Sequence, residues 1–561
     1  MTQELTGAQA LARALLKMGT TRLYGIIGTS NVAFVDALYD LRDQIRYISC
    51  RHEQVAASMA DAEGRLTGRP GVVLVHSGPG ALNAMISAGN AYKDCSPMMI
   101  ITGAVKRRLV KCDGMFEVDH RRLFAPLCKG TFRAESTAEI PRIFSQAYRA
   151  AMSGARGPVL IEVPEDVWSE KAQVDIEGMA LTVDAPPPVS RADVKAALEM
   201  IGTAKLPLVL SGGGVAYSHS SAELVRFAEA LSVPVITTGN GRGTIPETHA
   251  LCLGRPGFGG FNLVADKALE KCDALLCLGA AISDMTTWEF TAPIGAKSIM
   301  IVNISPGCLA SQAPKAKLVL GDVGDFLRQA LTELGPRRES PRPAWSEALA
   351  EAKQTWEMQL WACTTHQGKL PCPGYVIKQL AGKVPEDTIV SVGAGMHITY
   401  PIAYMPCTHP LSCFPLVNFA SMGFGLAAAM AAKAVHPDRT VLAILGDGDF
   451  MMTVQDLETA VREGLDIKIV ILNDFRYGVL NLRQRLQFGG RIIGTEHNNP
   501  DFAQLAKCFG AAGYRLDSPE QVDQVLDAAL AEKGVAVVDV VIERDGLPPV
   551  NYEAFLRMSA G

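Results

Sequence analysis

Short, continuous apolar runs separated by helical patterns constrain the fold of this chain most strongly. Clear examples are residues 71–75, 274–278 and 441–445. A strand that is apolar at every position is buried on both faces, which is typical of parallel sheets covered by helices. We therefore predict an α/β fold in which each domain is a mostly parallel sheet covered by helices. Further strands are predicted by the same criterion at 45–49, 97–102, 208–211, 235–238, 299–303, 467–472 and 535–542.

Two proline-rich segments divide the chain, at residues 184–190 and 335–343. Such segments are typical of exposed linkers between domains. A chain of 561 residues is long enough for several domains. We predict three of them, with bounds at 1–183, 191–334 and 345–561.

Charge and hydropathy exclude several classes of function. The net charge is −5 and no block is dense in Lys or Arg, which argues against nucleic-acid binding and against binding to anionic membranes. No apolar run reaches the length of about 18 residues that a spanning helix needs. Residues 1–19 form an amphipathic helical pattern without the order of a signal peptide. Thirteen scattered cysteines without a C-x-x-C pair agree with a reducing cytoplasm.

A glycine turn, Gly446-Asp447-Gly448-Asp449, follows the predicted strand 441–445 directly. A helix is predicted after it, over residues 453–461. This order of strand, turn and helix presents backbone N–H groups to phosphate, and Asp447 adds an oxygen ligand for a cation. The next strand ends before Asp474, and the carboxyl ends of neighbouring parallel strands meet at one edge. Although such a turn alone is often only a turn, the pair predicts a diphosphate and cation site.

The turn followed by Asp474 resembles the diphosphate-binding signature of thiamine-diphosphate-dependent enzymes. That resemblance implies thiamine diphosphate and Mg²⁺ as cofactors. It also implies three metal ligands: the Asp447 carboxylate, the Asp474 carboxylate and the carbonyl of Arg476. Asparagine is usual at the second position, so Asp474 is a departure that adds negative charge and is expected to tighten metal binding.

The stretch Arg51-His52-Glu53 precedes a helical pattern. Taken alone, Glu53 is a helix-start residue that favours the helix dipole. The resemblance implies a second role, in which the Glu53 carboxyl hydrogen-bonds N1′ of the aminopyrimidine ring and promotes activation of thiazolium C2. A carboxyl with a raised pKa suits that role.

Two further segments match the same family. Residues 76–83 resemble its S-G-P-G-x-x-N turn, and residues 419–425 resemble the segment that bends the cofactor. There Met422 is expected to separate the two rings, although a plain core methionine is the alternative. In the family the glutamate and the metal site come from different subunits, which implies a homodimer or homotetramer with active sites at the interface. The cofactor-binding residues implied are Glu53, Asn83, Gly395, Met396, Ala420, Met422, Gly446, Asp447, Gly448, Asp449 and Tyr477.

The overall pattern resembles acetolactate synthase, but four substrate-facing positions differ from it. Phe116 stands in place of a glutamine, Glu165 of a lysine, Met285 of an arginine and Arg483 of a tryptophan. These differences predict other substrates. Parts of the chain also resemble benzaldehyde lyase, oxalyl-CoA decarboxylase and cyclohexanedione hydrolase.

The resemblance also places the reacting groups. His120 and His397 are candidates for a titrating acid–base near neutral pH, with capping or surface histidines as the alternative. Arg483 and Arg485, on a predicted lid helix, are either solvated charges or attract an anionic substrate. The predicted catalytic residues are Glu53, Thr29, Ser30, Asn31, Phe116, His120 and His397.

We predict a carboligase or lyase that acts on 2-oxo acids or 2-hydroxy ketones. A 2-oxo-acid decarboxylase, a flavin-linked enzyme resembling pyruvate oxidase and an inactive regulatory paralogue are the alternatives. FAD binding is possible, but the middle region reads Gly279-Ala-Ala-Ile-Ser283 where flavin-binding relatives have an arginine. Residues 211–214 do not form the G-x-G-x-x-G pattern.

Overall fold

The computed structural model describes residues 2–308, 316–336, 342–365, 368–414, 418–544, 546 and 548–560. The chain forms two compact units: a first unit of residues 1–185, 418–438 and 451–466, and a second of residues 186–417, 439–450 and 467–561. The strands are β1 (Gln3–Thr6), β2 (Arg22–Gly25), β3 (Arg46–Ser49), β4 (Gly71–Val75), β5 (Met98–Ala104), β6 (Gly130–Arg133), β7 (Pro158–Pro164), β8 (Lys171–Val174), β9 (Pro207–Ser211), β10 (Val235–Thr237), β11 (Ala274–Leu278), β12 (Ser298–Asn303), β13 (Lys317–Leu320), β14 (Ile389–Val392), β15 (Cys413–Phe414), β16 (Val441–Gly446), β17 (Lys468–Asn473), β18 (Ala512–Leu516) and β19 (Ala536–Val541).

Helices alternate with these strands through most of the chain, and short 3₁₀ turns such as Met396–Ile398 and Val454–Asp456 connect some of them. The α-helices are α1 (Gly7–Met18), α2 (Val32–Tyr39), α3 (Glu53–Thr67), α4 (Pro79–Lys93), α5 (His120–Phe124), α6 (Ile140–Met152), α7 (Glu165–Ser169), α8 (Arg191–Thr203), α9 (Gly213–Tyr217), α10 (Ser221–Leu231), α11 (Leu263–Lys271), α12 (Val323–Leu334), α13 (Pro343–Ala362), α14 (Pro373–Lys383), α15 (Thr399–Tyr404), α16 (Phe424–Val435), α17 (Asp447–Met451), α18 (Leu457–Arg462), α19 (Gly478–Gln487), α20 (Phe502–Cys508), α21 (Val522–Ala531) and α22 (Tyr552–Ala560).

The first unit is built on a six-stranded parallel sheet in the order β3-β2-β4-β5-β7-β6. Its core includes Leu15, Phe34, Phe144 and Trp168. Because β4, β5 and β7 are buried at every position, they read as continuous apolar runs in the sequence.

Helices α3 and α16 pack together in the same unit, and a buried guanidinium lies between them. Arg65 stacks over the ring of Phe424 at 4.9 Å and pairs with Asp61 at 2.7 Å and Asp94 at 2.9 Å. Charges buried in this way are tolerated because each has a partner. The packing fixes the start of α3 beside the segment that leads into α16.

The second unit holds two parallel sheets. One has five strands in the order β10-β9-β11-β12-β13, and the other has six in the order β15-β14-β16-β17-β19-β18. The alternation of strand and helix, with a jump in strand order in each sheet, confirms the predicted α/β class with parallel sheets. In the described residues no helix is both long and apolar enough to cross a membrane.

Two local predictions differ from the structure, and a third lies partly outside the described residues. The chain start is a strand, β1, paired antiparallel with β8, and α1 begins only at Gly7, because Thr6 and Gln9 form a capping box. The helix predicted over 453–461 is a 3₁₀ turn followed by α18, since Asp456 Oδ1 accepts hydrogen bonds from Arg51 N and Thr459 Oγ1. The second proline-rich linker lies partly outside the described residues, at 337–341.

Candidate active site

Glu53 begins α3 at the carboxyl edge of the first unit's sheet. Its Oε2 accepts a hydrogen bond of 3.0 Å from Asn83 Nδ2 on α4. A Cβ on Gly80 would lie 2.9 Å from Glu53 Oε1, so the glycine gives the carboxylate its room. The S-G-P-G turn and the R-H-E stretch, far apart in sequence, therefore form one local arrangement around Glu53.

The segment before α16 lies beside the same helix start. Gln54 Nε2 donates a hydrogen bond of 2.9 Å to the carbonyl of Met422, and Asn90 Nδ2 donates one of 2.7 Å to Ser421 Oγ. Ala420 has a φ of 53°, an unusual backbone conformation for a non-glycine residue. Such conformations cluster at functional sites, where neighbouring contacts hold them. The carbonyl of Met422 is thus bound to Gln54, the residue that follows Glu53, and Ala420 lies two residues earlier in the same segment.

His76, which the sequence analysis did not select, is the centre of a small cluster in the first unit. Its Nδ1 is 2.7 Å from Ser30 Oγ, and its ring meets that of Phe116 edge-on with centroids 4.6 Å apart. A Cβ on Gly28 would lie 2.6 Å from His76 Cγ, so this glycine allows a close approach. Burial lowers the pKa of His76, and the nearby Glu53 carboxylate opposes the shift.

The other predicted residues of this loop have mixed roles. Asn31 Oδ1 accepts a hydrogen bond of 2.8 Å from Gly28 N and closes the loop on itself. Ser30 is buried, and its Oγ accepts a further hydrogen bond from Ser77 N at 2.9 Å. Thr29, which directly precedes Ser30, is exposed. Ser30 and Asn31 therefore shape the loop, and Thr29 is the member of the three whose side chain is open to a ligand.

His120 is buried, and both of its ring nitrogens are engaged by the fold. Nδ1 lies 2.7 Å from Glu162 Oε2, and Nε2 accepts a hydrogen bond of 3.0 Å from Gly78 N. The second bond assigns the proton to Nδ1. Burial alone would raise the pKa of Glu162, but hydrogen bonds from His120 and Arg133 outweigh burial and hold the pKa below its usual value. This geometry uses His120 to hold the turn at Gly78, which has a φ of 68°, rather than as a free acid–base.

The second group of predicted residues lies in the second unit, at the carboxyl ends of β14, β16 and β17. Asp447 follows β16 directly and accepts a hydrogen bond of 2.5 Å from Asn499 Nδ2. Asn499 also donates to Asn473 Oδ1 at 3.0 Å. Burial, and then the charge of Asp474, raises the pKa of Asp447 to about 7. Burial also raises the pKa of Asp474, against a hydrogen bond of 3.0 Å from Arg476 Nε.

These oxygens fit a divalent cation. Two carboxylates buried near each other repel, and a cation between them removes that cost. Phe475 has a φ of 58°, a turn that falls between Asp474 and the carbonyl of Arg476. Within the described ranges, no group of three or more His, Cys, Asp or Glu side chains could hold a metal ion. A set of two carboxylates and a main-chain carbonyl is the donor type that Mg²⁺ prefers.

His397 packs beneath the glycine turn. A Cβ on Gly446 would lie 2.7 Å from His397 Nδ1, so a side chain at this position would clash with the imidazole ring. Burial lowers the pKa of His397 to about 4, which leaves the ring neutral near pH 7. Its buried Nε2 has no hydrogen-bond partner among the described residues. The structure thus places His397 at the turn, but as a neutral group.

Neighbouring residues of this edge join the same arrangement. Ala394 N donates a hydrogen bond of 2.9 Å to Asp449 Oδ1, which links the loop after β14 to the glycine turn. A Cβ on Gly478 would lie 3.1 Å from Asp474 Oδ2 and 3.7 Å from Met396 Cβ. The ring of Tyr477 packs edge-on against His497, with centroids 4.1 Å apart. Met396, Asp474 and Tyr477 therefore belong to one local group.

The remaining substituted positions are less tightly tied. Glu165 lies 3.4 Å from Lys106 in an exposed ion pair. Met285 begins a 3₁₀ turn, and Arg483 is half-buried on α19.

In the middle region, a Cβ on Gly212 would lie 2.6 Å from Ala280 Cα, and one on Gly214 would lie 2.7 Å from Gly279 Cα. Close packing of the ends of β9 and β11 is a sufficient reason for these glycines.

Three family models match the chain. Residues 5–123 match the thiamine pyrophosphate enzyme N-terminal TPP binding domain, residues 194–330 its central domain and residues 393–540 its C-terminal TPP binding domain. The two TPP-binding matches include Glu53 and Asn83 on one side and Asp447 and Asp474 on the other.

Curated relatives match over nearly the whole chain. A probable acetolactate synthase large subunit of Methanocaldococcus jannaschii is 31% identical over 559 residues, which covers 97% of this chain and 93% of that protein. The acetolactate synthase isozyme 2 large subunit of Escherichia coli K12 is 31% identical over 544 residues, 96% of each chain. An acetolactate synthase of Mycobacterium bovis is 31% identical over 561 residues, 97% of this chain and 89% of its own.

Proposed function

The chain belongs to the thiamine pyrophosphate enzyme family, as an acetolactate synthase-like enzyme, and from that premise we propose that it makes or breaks a C–C bond next to a carbonyl. We propose Mg²⁺ as the metal and 2-oxo acids or 2-hydroxy ketones as substrates. The single observation that carries the proposal is the hydrogen-bonded Glu53–Asn83 pair beside Gly80.

Bound thiamine diphosphate supplies a nucleophilic carbon and accepts the electron pair that the bond next to the carbonyl releases. Glu53, oriented by Asn83, would share a proton with the cofactor's aminopyrimidine ring. Asp447, Asp474 and the carbonyl of Arg476 would hold Mg²⁺, which in turn neutralises the diphosphate. Met422, on the segment anchored by Gln54, would fix the angle between the two rings.

We further propose that each active site takes Glu53 from one subunit and Asp447 from its partner in a homodimer or homotetramer. The support is the family resemblance of both motifs. The predicted absence of nucleic-acid and membrane partners and the predicted cytoplasmic location rest on charge, hydropathy and cysteine pattern.

The substrates are proposed to differ from those of acetolactate synthase. The support is the cluster of His76, Ser30 and Phe116, which places an imidazole and an apolar ring near the Glu53 carboxylate. Nδ1 of His76 is held by Ser30, which leaves Nε2 as the ring atom to exchange a proton with a substrate oxygen. We propose that His76 is the acid–base group of the active site. His120 is less suited because both of its ring nitrogens are hydrogen-bonded, and His397 because its ring is neutral.

A substrate panel tests the proposal. Purified protein with thiamine diphosphate and Mg²⁺ is incubated with 2-oxo acids, 2-hydroxy ketones and aldehydes, and products are followed by NMR. We expect decarboxylation, ligation or cleavage of at least one compound, lost in Glu53→Gln. Rapid formation of acetolactate from pyruvate alone would refute the proposed difference in substrates, and no turnover of any compound would favour a regulatory paralogue.

A flavin-linked oxidation is the other enzyme class, and FAD would bind near the middle region. The glycines there are packed against each other at the ends of β9 and β11. We therefore expect the active protein to be colourless. A yellow preparation that loses activity when flavin is removed would instead support the flavin-linked alternative.

A further inference from the structure

Two cysteine thiols face each other in the second unit, away from every residue proposed to act in catalysis. Cys407 lies in the loop after α15 and Cys413 begins β15. Cys407 Sγ lies 3.3 Å from the carbonyl oxygen of His409 and 3.4 Å from Ser412 Oγ, and each of the two thiols shifts the pKa of the other. The guanidinium of Arg242 reaches the same place, with Nη1 3.0 Å from Cys413 Sγ.

Arg242 is fixed in this position by several contacts. Its Nε and Nη2 donate to the Glu247 carboxylate at 2.7 and 2.6 Å, and Nη2 also donates to the carbonyl of Met405 at 3.2 Å. Glu247 in turn accepts a hydrogen bond of 2.8 Å from Cys407 N. The cation is therefore built into the loop that carries the two thiols.

The two sulfurs have different environments. The hydrogen bond from Cys407, and then the charge of Arg242, lowers the pKa of Cys413, although burial opposes the shift. The pKa of Cys407 is raised by that same hydrogen bond and by burial. Cys413 thus holds the thiolate and Cys407 the proton, which is the arrangement of an attacking and a resolving thiol.

A small open pocket borders the pair. Cys413 is half-buried and Cys407 is 5% exposed, and both line this pocket. Arg242, Thr408 and Ser412 contribute polar groups to its wall. Neither Cys407 nor Cys413 is in a disulfide bond.

We propose that Cys413 and Cys407 form a peroxide-reactive thiol pair that closes to a disulfide. The Cys413 thiolate attacks one oxygen of hydrogen peroxide, so that an S–O bond forms, the O–O bond breaks and hydroxide leaves. The Cys407 proton passes to that hydroxide. The Cys407 sulfur then attacks the sulfenic sulfur, forms the S–S bond and expels the sulfenic OH as a second hydroxide. That hydroxide becomes water with the proton that Cys413 released to solvent when its thiolate formed. Two thiols are oxidised by two electrons in total, and one peroxide is reduced to two waters.

Mass spectrometry tests this inference on the full-length protein. Reduced protein is treated with limiting hydrogen peroxide, free thiols are alkylated, and the tryptic peptide that contains both residues is examined. We expect a peptide that has lost two hydrogens and carries no alkyl group at Cys407 or Cys413. Its formation is expected to be on the order of tenfold faster than oxidation of the exposed Cys508, because the Cys407 thiol and the Arg242 charge lower the pKa of Cys413.

Two variants separate the roles of the sulfurs, and Cys508→Ser serves as a matched control. In Cys407→Ser we expect a sulfenic acid at Cys413 that a dimedone probe traps. In Cys413→Ser we expect Cys407 to stay reduced. Full alkylation of both residues in the wild type, while Cys508 is oxidised, would overturn the inference, as would equal oxidation of Cys407 in the presence and absence of Cys413.

Discussion

Glu53 in the first unit and Asp447 in the second each begin a helix at the carboxyl edge of a six-stranded parallel sheet. Their electrostatic surroundings differ. Near Glu53, a neutral amide holds the carboxylate, and the buried Glu162 has Arg133 and His120 as partners. At the second site, in contrast, two carboxylates, Asp447 and Asp474, share one guanidinium, that of Arg476 on Asp474, and burial raises the pKa of both.

The difference shows how the carboxyl edge of a parallel sheet can serve two chemical tasks. We call the edge that carries Glu53 the first edge and the edge that carries Asp447 the second edge. A carboxylate that exchanges a proton needs a partner that orients it without neutralising it, and an amide does this. A pair of carboxylates that binds a cation needs uncompensated charge, which is unfavourable until the cation arrives. The first edge therefore needs no further charge, and we propose that the second is stabilised by a bound metal ion.

The largest expected effect is on the first edge. Glu53→Gln keeps an acceptor for Asn83 but cannot exchange the proton, so turnover should fall by about 10²–10⁴. Steady-state kinetics on the substrate found by the panel measures this. Affinity for thiamine diphosphate with Mg²⁺ should change little, since the diphosphate side is intact. A variant with normal turnover would remove Glu53 from the mechanism.

The next effect concerns the second edge. Asp447→Asn removes a ligand charge, and we expect the affinity for Mg²⁺ to fall about 100-fold or more, beyond the usual loss at outer-shell positions. In EDTA the same variant should be more stable than the wild type, because an uncompensated buried carboxylate is gone. Denaturant unfolding with and without Mg²⁺ measures both signs. Destabilisation of equal size in both conditions would point to a purely structural Asp447.

A smaller effect is expected at His76, in the cluster with Ser30 and Phe116. His76→Asn keeps a polar group but loses the titrating ring, so kcat should fall about tenfold, less than the usual acid–base contribution of about 10²–10⁴. The pH–rate profile should lose one limb in this variant, which a packing defect would not produce. The matched variant His120→Asn should instead lower the melting temperature, because it breaks the contacts to Glu162 and Gly78.

The smallest effect concerns Asp456, a buried carboxyl in the first unit. Asp456 accepts hydrogen bonds from Arg51 N and Thr459 Oγ1, and burial raises its pKa to about 6. The charges of His52 and Glu458 oppose each other there. The folded protein holds this proton more tightly than the unfolded chain, so stability should fall as the pH rises from about 4 to about 6.

We expect the Asp456 part of that decline to be on the order of 3 kcal/mol. Urea unfolding across this pH range measures it, and Asp456→Asn should remove that part. Mg²⁺ should leave the Asp456 part unchanged, whereas it should stabilise the second edge. A pH dependence that Mg²⁺ removes completely would assign it to Asp447 instead.

Much of the fold could be predicted because buried parallel strands have no polar face. Strands β4 and β11 match their predicted bounds, since every residue in them is buried. The helix over 453–461 was wrong because Asp456 bonds to a residue about 400 positions away, and no local pattern reveals such a contact. The same holds for β1, whose partner is β8.

The sequence motifs predict which residues lie together, but they do not show the surroundings that neighbouring residues create. His76 was missed because Ser30 and Phe116 reach it only through the fold, although a histidine directly before the S-G-P-G turn was a signal. His397 was selected for its imidazole, but only its burial against Gly446 shows that the ring is neutral.

Calorimetric titration of thiamine diphosphate into the metal-free protein, with Mg²⁺ or with EDTA, tests the central claim most directly. Our account assigns the missing positive charge of the second edge to the metal. It predicts binding with Mg²⁺ in wild type and Glu53→Gln, and loss of most of that affinity with EDTA or in Asp447→Asn. Equal affinity with Mg²⁺ and with EDTA would contradict it.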